Sequence, residues 1–254
     1  MERKKYVIFT AAGSGTRMKA SEPKQFLLLG GLPVLHRSIF AFVDACPDVK
    51  VVTVLPKNQI EHWKDLCIKY PLDVPQIIVE GGITRFHSVR NALAKVPDGA
   101  IVAVHDGVRP LVSKELIRKM FDRMASCRGL VPVVPVTDTL KSLERNKNGE
   151  LVSTGLPDPD RSRVFGAQTP QMFLSEELKA AYGLPYDTSY TDDASVATRY
   201  GIPLSWIEGE RNNIKLTTPG DMVLAEMFIW NWCSCNPLPT PDARTPGRAR
   251  SSCR

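Results

Sequence analysis

The chain has 254 residues, 43% of them hydrophobic and 24% charged, with a formal net charge of +6. That balance belongs to globular folds with a sizeable core and excludes collagen-like, low-complexity and largely disordered classes. Half of the excess charge lies in residues 233–254, where four arginines face Asp242 alone, and the +3 left on the body suits an enzyme of anionic substrates better than a nucleic-acid binder.

No apolar run approaches the ~18 residues of a membrane span. The start, Met-Glu-Arg-Lys-Lys, leads into an apolar stretch without a signal-type segment, so a cytoplasmic protein with no membrane partner is expected. Cys46, Cys67 and Cys127 are scattered through apolar or helical contexts and read as buried thiols, not as a disulfide framework or metal site.

A strand is predicted over residues 6–11, running into Ala11-Ala-Gly-Ser-Gly-Thr-Arg-Met18 and then Pro23-Lys24-Gln25. A strand followed by a small, glycine-bearing turn aims backbone N–H groups outward and favours phosphate. The spacing is neither the dinucleotide fingerprint nor a P-loop: position 18 is Met, and Gly-Lys-Ser/Thr is absent. Residues 11–16 (Ala11, Ala12, Gly13, Ser14, Gly15, Thr16) would cradle a triphosphate. Arg17 and Lys24 would neutralise charge that shifts during transfer.

Strands and helices then alternate. Helices are predicted over 33–44, 58–69, 84–95 and 113–125, and strands over 49–55, 76–79, 100–104 and 130–136. Near-continuous apolar strands alternating with helices imply an α/β fold, Rossmann-like, with a mostly parallel sheet covered on both faces and ligands outside the carboxyl ends of the strands. The remaining motifs fall at those ends. Glu80-Gly81-Gly82 leads into a helix with Thr84 as its cap, and His87 reads as a helix-surface residue. Asp106 ends a strand, with Arg109 three residues on; a carboxylate beside phosphates suggests a magnesium or ribose contact, and an Asp–Arg pair that only tightens the turn is the plainer reading.

Past residue 136 the rhythm breaks. Segments 136–141 and 151–155 flank a polar turn over 144–150 that contains Asn148-Gly149, which predicts a β-hairpin arm over about 137–160. Further on, Thr191 is a good cap for a helix, and Asp192 and Asp193 at its start read as capping residues as well. Lys215 would sit in a short strand before a helix opened by Thr218-Pro219. From about Cys233 the chain turns Pro-, Ser- and Arg-rich without periodicity, so one domain over 1–232 and a disordered tail over 233–254 are expected.

Several strings together carry a resemblance over about residues 5–230: Ala-Ala-Gly-x-Gly-x-Arg-Met, Pro-Lys-Gln-Phe, Gly-Gly-x-x-Arg-x-x-Ser-Val, His105-Asp106, Ala167-x-Thr-Pro-Gln171, Thr191-Asp-Asp-Ala and Asn213-Ile-Lys-x-Thr. The chain resembles the sugar-phosphate nucleotidyltransferases, and within them the cytidylyltransferases that act on methylerythritol phosphate. That resemblance implies CTP and a polyol phosphate as substrates, Mg²⁺ accompanying CTP, and no nucleic acid. It puts Gly82 and Ser88, with Arg85 less firmly, against cytosine and ribose. It puts Asp106, Arg109, Thr139, Arg161, Thr191 and Lys215 on the acceptor, Arg161 coming from a neighbouring subunit through the arm of a homodimer. Gly107 and Val108 depart from the family's usual Ala-Ala, and Phe165 stands where it usually has Trp. Arg163 is open to either the role of Arg161 or plain solvation. A pentitol phosphate acceptor, or a catalytically inactive nucleotide-binding module, remain the rival readings.

Overall fold

A computed structural model of the chain describes residues 3–13 and 22–235, with side chains up to Trp230. Strand β1 (Lys5–Thr10) sends Val7 and Phe9 into one core layer and Ile8 into the other, because successive side chains leave a strand on opposite faces. After a small ribbon of β2 (Leu28–Leu29) and β3 (Leu32–Pro33), the same two-sided burial recurs in β4 (Lys50–Leu55) and β6 (Ile101–Asp106), while β5 (Gln76–Glu80) is less buried. Strands apolar on both faces need cover on both. Helices α1 (Val34–Ala45), α2 (Ile60–Lys69) and α4 (Lys114–Arg123) pack on one side; α3 (Arg85–Leu93), α5 (Ser175–Ala181) and α6 (Asp193–Tyr200) pack on the other.

With β7 (Gly129–Pro135), β10 (Phe165–Ala167), β11 (Gln171–Leu174) and β12 (Leu204–Glu208), the sheet has eight strands in the order β10-β7-β11-β6-β1-β4-β5, and β12 pairs with β7. The β6-β1-β4-β5 half is parallel throughout. In the other half, β11 runs antiparallel between β6 and β7, and β10 is antiparallel to β7. The mostly parallel α/β sheet expected from the alternation is therefore present, with antiparallel strands toward one edge.

The arm is a separate two-stranded ribbon of β8 (Leu143–Arg145) and β9 (Leu151–Ser153). The first strand does not lie in the alternating stretch 136–141. Glu144 and Arg145, expected in the turn, pair with Val152 and Leu151. The Asn146 side chain decides this: its Oδ1 accepts from the N–H groups of Asn148 (2.9 Å) and Glu150 (3.0 Å) and closes the loop there.

The last helix, α7 (Pro219–Cys235), opens where Thr218-Pro219 predicts and continues through Cys235, so the expected tail starts later than residue 233; its remainder, 236–254, lies outside the described residues. Its Met222, Ala225, Phe228 and Ile229 close a third cluster with Leu29, Val34, Val108, Leu111 and Leu216. Among the described residues no helix is long and apolar enough to cross a membrane.

Candidate active site

β1 and β6 are parallel neighbours in register, Thr10 opposite Asp106, so both end at one edge of the sheet. The turns that follow meet there. Gly107 N–H donates to Thr10 O (3.1 Å), Ala11 N–H to Val54 O (3.0 Å) and Gly81 N–H to Leu55 O (2.8 Å). A Cβ on Gly81 would lie 2.6 Å from Ala12 Cβ, so glycine there answers a close approach of two turns. Ala11 is buried and Gly13 exposed; Ser14, Gly15, Thr16 and Arg17 lie outside the described residues. The chain then folds back: buried Gln25 donates Nε2–H to Ala11 O (2.9 Å), and Phe26 stacks on Trp63. Lys24, just before Gln25, is partly buried.

Asp106, 6% exposed, is the electrostatic centre. Its Oδ2 meets Lys215 Nζ at 3.1 Å and Arg109 Nε at 3.3 Å, and its Oδ1 accepts from the Thr10 hydroxyl at 3.4 Å. Burial works against the charged carboxylate, but Arg85, Lys215 and Arg109 outweigh it and hold the group well below the ordinary range. The Asp106 N–H donates to Thr169 Oγ1 (3.1 Å). That hydroxyl also meets His105 Nδ1 at 3.1 Å, and His105 Nε2 lies 3.0 Å from Arg109 O. A carbonyl only accepts, so Nε2 carries the proton and Nδ1 accepts from Thr169. Burial pushes the His105 pKa down to about 4, which keeps the ring neutral.

Lys215 reaches Asp106 from a loop and not from the short strand expected there. The loop is strapped down by buried side chains. Gln168 accepts from Glu210 N–H (3.1 Å) and donates to Glu210 O (2.8 Å), Asn213 donates to Thr169 O (2.8 Å), and Arg109 donates to Asn213 O (2.7 Å). Leu216 N–H donates to Val108 O (2.9 Å), which sets Lys215 beside the 106–109 turn. Thr169, Gln168 and Asn213 are functional scaffolding that residue-level reading missed; the Thr-Pro-Gln string marked the place without saying what it does.

On the far side, Thr84 caps α3 as expected and its hydroxyl meets His87 Nδ1 (2.8 Å). Gly82 N–H donates to Ser88 Oγ (3.0 Å), so Ser88 shapes the turn. Arg85 forks onto Asp193 (3.1 and 2.5 Å), whose Oδ1 also accepts from the Tyr182 hydroxyl (2.6 Å). Of the capping candidates at the start of α6, Asp192 takes the role as expected, and Thr191 and Asp193 do not. The cap of α6 is Asp192, which accepts from Ser195 N–H (2.8 Å) while Ser195 Oγ accepts from Asp192 N–H (3.2 Å); Thr191 precedes it, exposed. Asp193, expected as a charge on the helix N-terminus, is fully buried under Arg85 and Tyr182. Gln171 completes the join, donating to Asp192 Oδ2 (2.8 Å) and accepting from Ala194 N–H (2.8 Å).

Thr139 and Arg161 stand apart from this cluster, both exposed on the arm. Arg161 opens a 3₁₀ turn, Arg161–Arg163, and donates to Thr137 O (2.8 Å); Arg163 is exposed too. The edge thus gathers Asp106, Arg109 and Lys215 beside residues 11–13. A partly buried cluster of cations of this kind binds anionic groups and stabilises negative charge as it moves.

The profile of the family described as 2-C-methyl-D-erythritol 4-phosphate cytidylyltransferase matches residues 6–231. A protein of that name from Porphyromonas gingivalis is 47% identical over 234 residues, 90% of this chain and 99% of the relative. One from Bacteroides thetaiotaomicron is 40% identical, with 89% and 100% covered. The crystal structure of the Francisella tularensis 2-C-methyl-D-erythritol 4-phosphate cytidylyltransferase superposes with a TM-score of 0.70 at 30% identity, covering 90% of this chain and 99% of that one.

Proposed function

Since the chain belongs to the 2-C-methyl-D-erythritol 4-phosphate cytidylyltransferase family, we propose that it transfers CMP from CTP to 2-C-methyl-D-erythritol 4-phosphate, releasing pyrophosphate. The supporting observation is Asp106 held by Arg109 and Lys215 beside the turn that follows β1. An acceptor phosphate oxygen attacks the α-phosphorus of CTP, the new P–O bond forms, and the bond to the β-phosphate oxygen breaks. The attacking oxygen is already anionic near pH 7, so no general base is required. Catalysis is positioning plus charge neutralisation.

The turn at residues 11–16 holds the triphosphate, Arg17 and Lys24 stabilise the transition state and departing pyrophosphate, and Gly82 and Ser88 face the nucleoside. Lys215, Arg109 and Thr191 take the acceptor, with Asp106 keeping the two cations in place. Mg²⁺ would arrive with CTP, whose phosphates supply most ligands for such an ion. Asp106 fits it through Oδ1, whose hydrogen bond to Thr10 is long, and the ion would add positive charge at the phosphates.

Arg161 and Thr139 reach an acceptor only if the arm crosses to a second copy, so the active form is a homodimer. Leu143 and Leu151, 48% and 61% exposed on the ribbon, support that reading. We place the reaction in the cytoplasm, where free thiols such as Cys46 and Cys67 persist.

Pyrophosphate release from CTP and Mg²⁺ tests the proposal, with methylerythritol phosphate and ribitol phosphate in parallel. Turnover with the first alone is expected. Turnover with ribitol phosphate alone would discard the acceptor and keep the triphosphate site.

A further inference from the structure

Arg85 and Asp193 touch neither substrate in the mechanism above, yet they join its two halves. Arg85 is the first residue of α3, between Gly82 and Ser88 on the nucleotide side. Asp193 begins α6 two residues after Thr191 on the acceptor side and has no exposed surface. Both oxygens of Asp193 are engaged by the Arg85 fork, and Oδ1 by Tyr182 as well. The ring beside Arg85, Phe86, stacks on Tyr182 at 4.7 Å and on Tyr190 at 5.7 Å, the residue before Thr191. A planar two-point fork fixes orientation as well as distance. An ion pair whose carboxylate is fully buried is a poor source of stability compared with packed apolar side chains, so geometry is the more natural reason for one here.

We propose that Arg85 and Asp193 are positioning residues that set the acceptor segment at Thr191 against the nucleotide turn at Gly82 and Ser88. The inference rests on the transfer reaction proposed above. With the fork gone, the nucleotide half still binds CTP, but the acceptor half shifts, so the acceptor is held less well and its attacking oxygen loses its line to the α-phosphorus.

The test measures kcat, both KM values and Tm for the wild type, Arg85→Lys, Asp193→Asn and the double variant Arg85→Met/Asp193→Leu. Arg85→Lys keeps the charge at a partly exposed side chain and removes the planar fork. It should lower kcat and raise acceptor KM about tenfold each, with CTP KM changed less than about threefold. The double variant should regain the Tm lost by Asp193→Asn without regaining kcat or acceptor KM. Wild-type kinetics in the double variant or in Arg85→Lys would overturn the proposal, since the pair would then be structural only. A wild type silent with methylerythritol phosphate would refute the underlying reaction instead, a separate result in the same assay.

Discussion

At the scale of single residues, one buried carboxylate organises several cations. Asp106 is charged because Arg85, Lys215 and Arg109 surround it, and it holds Arg109 and Lys215 where an acceptor phosphate would need them. Asp106→Asn removes the shared anchor and should lower kcat/KM by about 10²-fold or more, read in the pyrophosphate assay. Lys24 acts later on the reaction coordinate in the proposed mechanism. Lys24→Ala should therefore lower kcat by about 10²-fold while acceptor KM moves only severalfold. A loss confined to acceptor KM would mean that Lys24 binds ground states and not the transition state.

At the scale of elements, the site depends on turns packed against turns. Gly81 follows β5 and leans on Ala12, which follows β1, with room for hydrogen and nothing more. Gly81→Ala would force those turns apart, since neither Cβ can rotate away. The expected cost is about 1–3 kcal/mol of stability. CTP affinity, measured by titration calorimetry, should fall while the acceptor-side loop strapped by Gln168 is untouched. Unchanged CTP affinity would show that the cradle lies elsewhere.

At the scale of the whole molecule, two predictions follow from burial and from assembly. His36 and His105 are buried neutral, each with a pKa pushed down to about 4, chiefly by burial. Among the described residues neither ring nitrogen of His36 has a hydrogen-bond partner, and the ring packs on Phe40 and Trp63. Both folded-state values lie below the ordinary 6.5, so the unfolded chain takes up protons first as pH falls. Their contribution is complete above pH 6.5 and is lost between 6.5 and 4, together on the order of a few kcal/mol. Urea melts at pH 7.5 and pH 5 should show this slope, and His36→Leu should reduce it. An identical slope in that variant would remove His36 from the account. The dimer has its own test: Arg161→Ala and Lys215→Ala, each inactive alone, should recover about a quarter of wild-type turnover when mixed and allowed to exchange. One intact site forms in each mixed dimer only if Arg161 serves its neighbour. No recovery would return Arg161 to its own subunit.

Much of this protein is written locally. The near-continuous apolar runs of β1, β4 and β6 dictate a sheet buried on both faces, and the glycines at 13, 81 and 82 mark the turns at its carboxyl edge, because apolar runs and backbone freedom are properties of neighbouring residues. The strand-end position also singled out Asp106 with Arg109, and the resemblance added Lys215. What local pattern left undecided depended on residues distant in the chain. Asp192, one of three capping candidates, caps α6 through a local box with Ser195, while Gln171, on a strand 21 positions away, ties its other carboxylate oxygen to the sheet. Asp193 looked like one more helix-start acid until burial beneath Arg85, 108 positions away, made it half of a forked ion pair. The antiparallel β11 entered the sheet because residues 171–174 found a place between β6 and β7. Periodicity and turn chemistry are short-range and legible in order. Pairing, burial and shared charge arise only when remote segments meet, so the tertiary structure alone decided them.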